Sequence, residues 1–170
     1  MTIHSEHPFA DADRDPVRRL RARVGSTVSL WTSGTLGVDA AGLSVSSYLV
    51  VTGDPGRIVA ALDPDSDLHA RLQASGRAVM HLLDGSRSEL AEMFGGVMPA
   101  PGGVFSQAEF LPTAHGPQLA GAGTWASVSY EHSVEVGWSA LVTVRIDEIE
   151  IGNQDWLVHR QGRFERLRPE

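Results

Sequence analysis

Residues 42–96 are the most informative segment for the fold and have the sequence GLSVSSYLVVTGDPGRIVAALDPDSDLHARLQASGRAVMHLLDGSRSELAEMFGG. It begins with Leu43–Thr52, where apolar and small polar residues alternate as they do in a half-buried strand. The turn cluster Gly53-Asp54-Pro55-Gly56 follows, and the apolar run Arg57–Leu62 then has the composition of a buried strand. This order predicts two strands separated by a tight turn.

The second half of the stretch mixes short helices with one more strand. An Asp-rich loop at residues 63–67 has N-cap character, and the helix after it ends at Ala74-Ser75-Gly76. A strand is predicted over Ala78–Leu83. Residues Ser86–Phe94 have apolar positions one helical turn apart, and the glycines that follow predict the end of this helix.

The N-terminal side is predicted to be a loose arm, residues 1–15, followed by a single domain, residues 16–170. Pro16 suits the first turn of a helix, and Asp15 is its expected N-cap. Three apolar residues then follow helical spacing and predict a buried stripe: Val17, Leu20 and Val24. The basic residues of this helix are expected on a solvated face: Arg18, Arg19, Arg21 and Arg23.

The remaining segments predict more β structure. Strands are expected over Thr27–Ser33, Trp125–Tyr130 and Val136–Ile151, and a closing hairpin is expected over Leu157–His159 and Arg163–Leu167. The total is about seven strands and three short helices, and the strands cluster rather than alternate with helices. This pattern favours an antiparallel barrel with peripheral helices over a doubly wound α/β fold.

Composition excludes several classes of function. The 170 residues include no cysteine and no lysine, which excludes thiol chemistry, cysteine zinc sites, a lysine Schiff base and a P-loop lysine. A net charge of −7 opposes binding to nucleic acid. No run approaches the ~20 apolar residues of a membrane span, and the acidic N-terminus does not resemble a signal peptide. We therefore expect a cytoplasmic protein that binds neither nucleic acid nor membrane.

Three motifs, in this order and spacing, resemble the flavin reductase-like family of FMN-binding split barrels. The first is a small-residue strand containing Gly42, Ser44, Ser46 and Ser47, and the second runs from Ser66 to Ser75-Gly76-Arg77. The third is a helix containing Leu90, Ala91, Phe94 and Gly96. The segment LVHRQGRFERL, residues 157–167, is similar to the family's closing strand pair, so the resemblance spans about residues 17–167.

The resemblance implies a mainly β protein: an antiparallel split β-barrel of Greek-key, FMN-binding type with a few peripheral short helices. It also implies a homodimer that reduces FMN, or FAD, with NAD(P)H as substrate, and that passes reduced flavin to a partner monooxygenase. Hydride transfer between two cofactors needs no acid, base or nucleophile from the protein. Neither a catalytic residue in the strict sense nor a metal is therefore expected.

The cofactor-binding residues implied by the resemblance fall in four groups. A strand of small residues allows a flavin ring to approach the backbone, and a loop before a helix can cradle a phosphate. The four groups are the strand Ser44, Val45, Ser46 and Ser47; the loop Asp63, Ser66, Asp67 and Leu68; the helix residue Phe94; and the hairpin residues His159 and Arg160.

The sequence departs from the family pattern near both cofactors. Three carboxylates, those of Asp63, Asp65 and Asp67, surround the loop assigned to phosphate, so an arginine is needed to compensate. The candidates are Arg57, Arg71 and Arg77. Leu68 stands where many relatives have threonine, Val136-Gly137-Trp138 replaces a segment that usually carries a histidine, and His159-Arg160 replaces Tyr-His.

Two alternatives remain open at the level of sequence. One is a flavin-binding or carrier protein without reductase activity, which the changes at Leu68 and Trp138 favour. The other is a split barrel that binds another planar cofactor, a deazaflavin or a haem, for which His115 and His132 are available as axial ligands. His81 lies in an apolar strand and is expected to make a hydrogen bond rather than to bind a ligand.

Overall fold

The structure is a computed structural model and describes residues 15–167, so the predicted arm lies almost wholly outside the described residues. Three α-helices occur within this range: α1 (Pro16–Arg23), α2 (Asp67–Ser75) and α3 (Ser88–Phe94). The strands in the same range are β1 (Ser26–Thr27), β2 (Ser29–Ser33), β3 (Ala41–Val45), β4 (Tyr48–Val51), β5 (Arg57–Leu62), β6 (Arg77–Leu82), β7 (Phe110–Thr113), β8 (Gly116–Leu119), β9 (Thr124–Val136), β10 (Ser139–Glu150), β11 (Trp156–Arg160) and β12 (Arg163–Leu167).

A seven-stranded antiparallel sheet forms the body of the protein, in the order β3-β2-β6-β9-β10-β5-β4. Its two edge strands, β3 and β4, are consecutive in the chain and only Ser46 and Ser47 separate them. The sheet must therefore curl until its edges meet, which leaves a seam at these two serines. The predicted antiparallel split barrel is confirmed.

Two smaller sheets complete the fold. Strands β1, β11 and β12 form a three-stranded sheet, and β7 pairs with β8. A short 3-10 turn, Val104–Ser106, precedes β7. The longest helix between residues 15 and 167, α2, has nine residues, and no helix in that range is long and apolar enough to cross a membrane.

Two apolar cores hold the sheet in its curled form. The first fills the concave side beneath α2 and includes Trp31, Leu68 and Leu72, each at most 1% exposed. The second lies beneath α3, where the rings of Phe94, Phe105 and Phe110 stack edge to face or tilted within 5.9 Å of one another. Strand β3 lies between both cores, because Leu43 and Val45 contact the first while Gly42 approaches Phe94.

Local signals placed the start of α1 and the end of α2 correctly, whereas α3 begins at Ser88 and not at the predicted Ser86. The Asp15 carboxylate accepts a hydrogen bond from the backbone N–H of Val17 at 2.9 Å, as expected of an N-cap before Pro16. Helix α2 ends at Gly76, whose φ of +71° is a left-handed conformation that glycine adopts without strain.

The predicted buried stripe of α1 is wrong. Val17, Leu20 and Val24 are 70%, 66% and 61% exposed, and α1 has no buried residue. Helical spacing of apolar residues indicates a face that avoids water, but it does not identify the surface that covers the face. Among residues 15–167, nothing covers this face of α1.

The predicted strand boundaries need several corrections. Thr27–Ser33 is divided between β1 and β2, which belong to different sheets, and the strand predicted over Trp125–Tyr130 extends over Thr124–Val136 as β9. Leu43–Thr52 is not one strand, because the seam divides it into β3 and β4. Val136–Ile151 is not one strand either: Gly137 and Trp138 form the turn between β9 and β10, and Trp138 is 84% exposed. Strands β7 and β8 were not predicted, since Pro112, Gly116 and Pro117 are poor local strand formers.

Candidate functional site

The seam between β3 and β4 is the centre of the candidate site. Ser46 and Ser47 lie outside both strand ladders, since the β2–β3 pairing ends at Val45 and β4 begins at Tyr48. The Ser47 carbonyl accepts a hydrogen bond from the backbone N–H of Ala61 at 2.8 Å, which joins the seam to the end of β5. Two serines with hydroxyl and backbone groups outside the ladders are therefore held between two fixed edges.

One further polar group contacts the seam from another element, and a second lies near that group. The Arg21 guanidinium of α1 donates a hydrogen bond to Ser47 Oγ at 2.7 Å. His159 of β11 is half-buried, and its pKa is lowered by burial and by the positive charge of Arg21. The imidazole is therefore neutral near pH 7 and can both donate and accept a hydrogen bond. Arg21 was predicted to be an ordinary solvated residue, so sequence reasoning missed its place at the seam.

The hairpin residues His159 and Arg160 point to opposite sides of β11. The His159 ring contacts Phe164, its cross-strand partner, with ring centroids 5.3 Å apart. The Arg160 side chain instead packs beside Gly25 and pairs with Glu165 at 3.3 Å. The structure thus brings His159 near Arg21, which contacts the seam, while Arg160 pairs on the other face of the hairpin.

Ser44 and Val45, which precede the seam, are already engaged within the protein. Ser44 Oγ donates to the carbonyl of Ala91 in α3 at 2.7 Å, and Val45 is 3% exposed with its side chain in the core. The Val45 carbonyl also accepts from Ser29 Oγ at 2.6 Å. These two residues fix the position of the strand beside the seam.

The loop before α2 is built as a helix cap. Ser66 Oγ accepts from the backbone N–H of His69 at 3.2 Å and donates to the carbonyl of Asp63 at 2.7 Å. The Asp63 carboxylate accepts from the backbone N–H of Asp65 at 2.9 Å, and Asp67 begins the helix at the surface. Leu68 is 1% exposed and lies in the first core, so its side chain is directed away from the loop surface.

Phe94 is also a core residue. It is 3% exposed and lies against Gly42, where a Cβ atom would come within 2.6 Å of the ring. The small-residue character of β3 is thus explained by a helix that packs closely on it, as well as by any ligand.

The three arginines suggested as partners for a phosphate at the loop are engaged elsewhere. Arg57 makes a bidentate pair with Glu131 at 2.8 and 3.1 Å, and Arg71 pairs with Asp39 at 2.7 Å. Arg77 lies at the other end of α2, where it lines a pocket of about 240 Å³ together with His115. A second pocket of about 240 Å³ lies beside α3, so both pockets are away from the seam.

The haem-ligand candidates are not arranged as a pair. The Nε2 atom of His115 lies 3.1 Å from Asp147 Oδ2, and His132 lies in β9 opposite Thr143. Between residues 15 and 167, no three histidine, aspartate or glutamate side chains converge as a metal site would require.

The donor set at the seam fits a flavin or a nicotinamide nucleotide. Serine hydroxyls and free backbone groups suit the polar edge of a flat ring, and a guanidinium suits a phosphate. The loop at residues 63–67 fits less well, because the exposed carboxylates of Asp63, Asp65 and Asp67 repel an anion. The arrangement can therefore hold a nucleotide ring and its phosphate if the cation comes from α1.

The fold of the chain is similar to those of several solved flavin reductases. The NADH:FAD oxidoreductase SgcE6 of Streptomyces globisporus, solved with NAD and FAD fragments, is 20% identical over 93% of this chain and 94% of its own, with a TM-score of 0.81. The styrene monooxygenase flavin reductase of Pseudomonas putida S12 is 21% identical over 90% of this chain and 97% of its own, with a TM-score of 0.77. BorF, the flavin reductase component of a bacterial two-component tryptophan halogenase, is 20% identical over 91% of this chain and 98% of its own, with a TM-score of 0.79.

At these identities the solved structures establish the fold alone, and no curated protein sequence matches the chain. The model of the flavin reductase like domain, however, matches residues 21–168. That span includes the seam, the loop before α2 and the closing hairpin. Because the match covers nearly the whole sequence, the chain belongs to the flavin reductase-like family.

Proposed function

We propose that the protein is an NAD(P)H-dependent flavin reductase that transfers hydride from nicotinamide to FMN, with FAD as the alternative flavin. The observation that carries this proposal is the polar seam at Ser46 and Ser47, where Arg21 donates to Ser47 Oγ and its charge also lowers the pKa of His159. Family membership supports the same reading, since the seam lies within the matched residues.

The flavin, when bound, supplies the ring atom that accepts hydride, and the protein's part is to hold the two rings face to face. The proposed contacts to the flavin edge are hydroxyl and backbone groups of Ser44, Ser46 and Ser47 and the backbone of Val45. His159 is proposed to contact either ring through its neutral imidazole. No residue is assigned as acid, base or nucleophile, because hydride transfer requires none.

The loop before α2 is proposed to contact the flavin phosphate through Ser66 and through backbone groups of Asp63, Asp67 and Leu68. Phe94 is proposed to support the ring from beneath β3, and Arg160 to contact the nicotinamide nucleotide at the hairpin. The exposed position of Arg160 supports this role, although it first has to release Glu165.

Turnover of nicotinamide nucleotide is the direct test. The purified protein is mixed with NADH or NADPH and with FMN, FAD or no flavin, and absorbance is followed at 340 nm. We expect oxidation that depends on flavin and saturates with it, and the preferred pair of substrates follows from the same data. Absence of turnover with every pair would overturn the proposal.

A flavin-binding protein without reductase activity is the second candidate. The observation that favours it is the three exposed carboxylates of the loop, together with an 84% exposed Trp138 at a position where relatives carry a histidine. Flavin binding measured by fluorescence quenching, combined with no oxidation of NADH or NADPH, would establish this candidate in place of the reductase.

We also propose that the protein is a homodimer that supplies reduced flavin to a monooxygenase in the cytoplasm. Exposed apolar residues support the dimer: the stripe of α1 and the edge strand β4, where Leu49, Val50 and Val51 are 56%, 60% and 40% exposed. Two structural relatives are the reductase components of a monooxygenase and a halogenase. Transfer is tested by coupling: a flavin-dependent monooxygenase lacking its own reductase should turn over when this protein and NAD(P)H are added.

A further inference from the structure

Between residues 15 and 167, no ion pair involves the carboxylates of the loop before α2. Three exposed carboxylates lie there, and the ion pairs of Arg57 and Arg71 are directed to Glu131 and Asp39 instead. A nucleotide phosphate brings at least one further negative charge. A site that binds it needs a positive group close to the seam.

Arg21 meets this requirement by position. Its Nη2 atom donates to Ser47 Oγ at 2.7 Å, and the Ser47 carbonyl is hydrogen-bonded to Ala61, two residues before Asp63. Ser47 therefore links the guanidinium to β5, the strand that leads into the loop. The charge of the guanidinium also acts on His159, so that α1, the seam and β11 meet around one group.

The C-terminal end of α1, which carries Arg21, is held by contacts with the closing hairpin. The backbone N–H of Gln161, in the turn between β11 and β12, donates to the carbonyl of Ala22 at 2.7 Å. The side chain of Arg160 packs beside Gly25, just after the helix. The C-terminal end of α1, next to Arg21, is thus held against the closing hairpin by two contacts.

Most of the hydrogen-bonding capacity of Arg21 is available to a ligand. A guanidinium has five N–H donors in a planar fork, and Ser47 uses one of them. None of the ion pairs recorded between residues 15 and 167 involves Arg21. The remaining donors can bind two phosphate oxygens side by side.

We infer that Arg21 binds a phosphate group of the nucleotide held at the seam and so supplies the cation that the loop before α2 lacks. This inference rests on the proposed function, because it assumes that a flavin or nicotinamide nucleotide binds there. The shared chemistry is a phosphate oxygen at the guanidinium. The experiment decides which nucleotide provides it.

The test compares Arg21→Ala and Arg21→Lys with the wild type in the full-length chain. Binding of FMN and of riboflavin, which has no phosphate, is measured by fluorescence quenching, and the KM for NADH and NADPH is measured in the same preparations. Arg19→Ala is the matched control: Arg19 is on the same helix and exposed, and its helical position faces away from Arg21. Circular dichroism verifies that each variant is folded.

If the flavin supplies the phosphate, Arg21→Ala should weaken FMN binding about tenfold and leave riboflavin binding unchanged. If the nicotinamide nucleotide supplies it, its KM should rise about tenfold while both flavins bind as before. The affected FMN affinity or nucleotide KM of Arg21→Lys should lie between those of Arg21→Ala and wild type, because lysine keeps the positive charge but loses the planar fork of donors. Either pattern supports the inference, and Arg19→Ala should change none of these values.

Changes smaller than twofold in all four measurements for Arg21→Ala would overturn the inference while the proposed function stands. Equal losses for FMN and riboflavin would also overturn it, since they would indicate a role for Arg21 other than phosphate binding. A wild-type protein that binds no flavin and oxidises neither nucleotide would remove the proposed function, and this inference with it.

Discussion

His81 shows how much one side chain can be constrained by its surroundings. Its ring is fully buried, with Nδ1 2.9 Å from the Leu30 carbonyl oxygen and Nε2 3.0 Å from the backbone nitrogen of Leu119. Since a carbonyl only accepts and an amide N–H only donates, Nδ1 must carry the proton and Nε2 must accept. The sequence predicted a hydrogen-bonded histidine here, and the structure confirms it and identifies both partners.

This constraint predicts a pH-dependent stability. Burial lowers the pKa of His81 to about 4, with a further decrease from Arg87, against the opposing effect of the Leu30 hydrogen bond. The unfolded chain, with a pKa of about 6.5, therefore takes up the proton first as pH falls. The free energy of unfolding should be undiminished above about pH 6.5 and should decline between pH 6.5 and 4, by up to about 1.4 kcal/mol per pH unit.

Urea unfolding from pH 4 to 8 measures this decline. His81→Gln is the comparison variant, because glutamine also donates and accepts but does not titrate. The difference in unfolding free energy between wild type and variant should narrow as pH falls. His159, whose pKa is lowered by burial, contributes equally to both proteins and cancels. Parallel curves for the two proteins would contradict the prediction.

Gly42 gives a second prediction at the scale of one residue. A Cβ atom there would come within 2.6 Å of Phe94 Cε1, and the Phe94 ring is held by Phe105 and Phe110. Gly42→Ala should therefore lower the free energy of unfolding by about 1–3 kcal/mol.

Gly25→Ala is the control for Gly42→Ala. Its Cβ atom would meet only the flexible side chain of Arg160 at 3.6 Å. Chemical denaturation measures the free energy of unfolding of both variants, which should be lower for Gly42→Ala. Equal stabilities would show that the Phe94 ring moves aside freely.

At the scale of an element, α2 has to serve both the fold and the proposed phosphate contact through Ser66. The hydroxyl caps the helix, as the hydrogen bond to the His69 N–H shows. Ser66→Asp keeps an N-cap acceptor but adds a negative charge. We expect its unfolding free energy to stay within about 0.5 kcal/mol of wild type. Its FMN dissociation constant should rise about tenfold with riboflavin unaffected, if the loop contacts the phosphate.

Ser66→Ala separates the two roles of this side chain. Loss of the cap should cost about 1 kcal/mol of stability. On the same samples, chemical denaturation gives the free energy of unfolding and fluorescence quenching gives the FMN dissociation constant. An FMN affinity for Ser66→Asp equal to that of wild type would show that the side chain acts only as a cap.

The elements also show where the sequence was informative. Features set by neighbouring residues were predicted: the cap at Asp15, the end of α2 at Gly76, and most strands of the large sheet. Features set by distant residues were not. Four arginines on α1 have the same local pattern, and only the packing of the helix distinguishes Arg21, which reaches Ser47. The exposed stripe of α1 was predicted as core for the same reason, because periodicity does not specify a partner.

At the scale of the whole molecule, the topology explains why the seam carries the site. The edge strands of an open sheet are normally far apart, but here they are consecutive and two serines join them. Curling brings α1 and the end of β5, which leads into the loop before α2, into contact with the seam, and the closing hairpin contacts α1. Segments that are 20 to more than 100 residues apart in sequence therefore converge, although no single segment forms the site.

The same topology leaves β4 as an apolar edge, and this leads to the prediction for the assembly. Val50 is 60% exposed on that edge, which favours a second copy of the chain as its cover. Light scattering after gel filtration should give the mass of a dimer for the wild type, and Val50→Lys should shift it toward the monomer. Val38→Lys is the control, because Val38 is 80% exposed in the turn between β2 and β3.

Flavin binding extends this test to the site. Because β4 begins immediately after Ser47, a partner on this edge would lie beside the seam and could enclose a bound ring. Val50→Lys should then weaken FMN binding together with dimerisation, whereas Val38→Lys should change neither. A monomeric wild type, or a Val50→Lys protein that remains dimeric, would assign this edge to another partner. A monomeric variant that binds FMN as tightly as wild type would show that one chain holds the flavin alone.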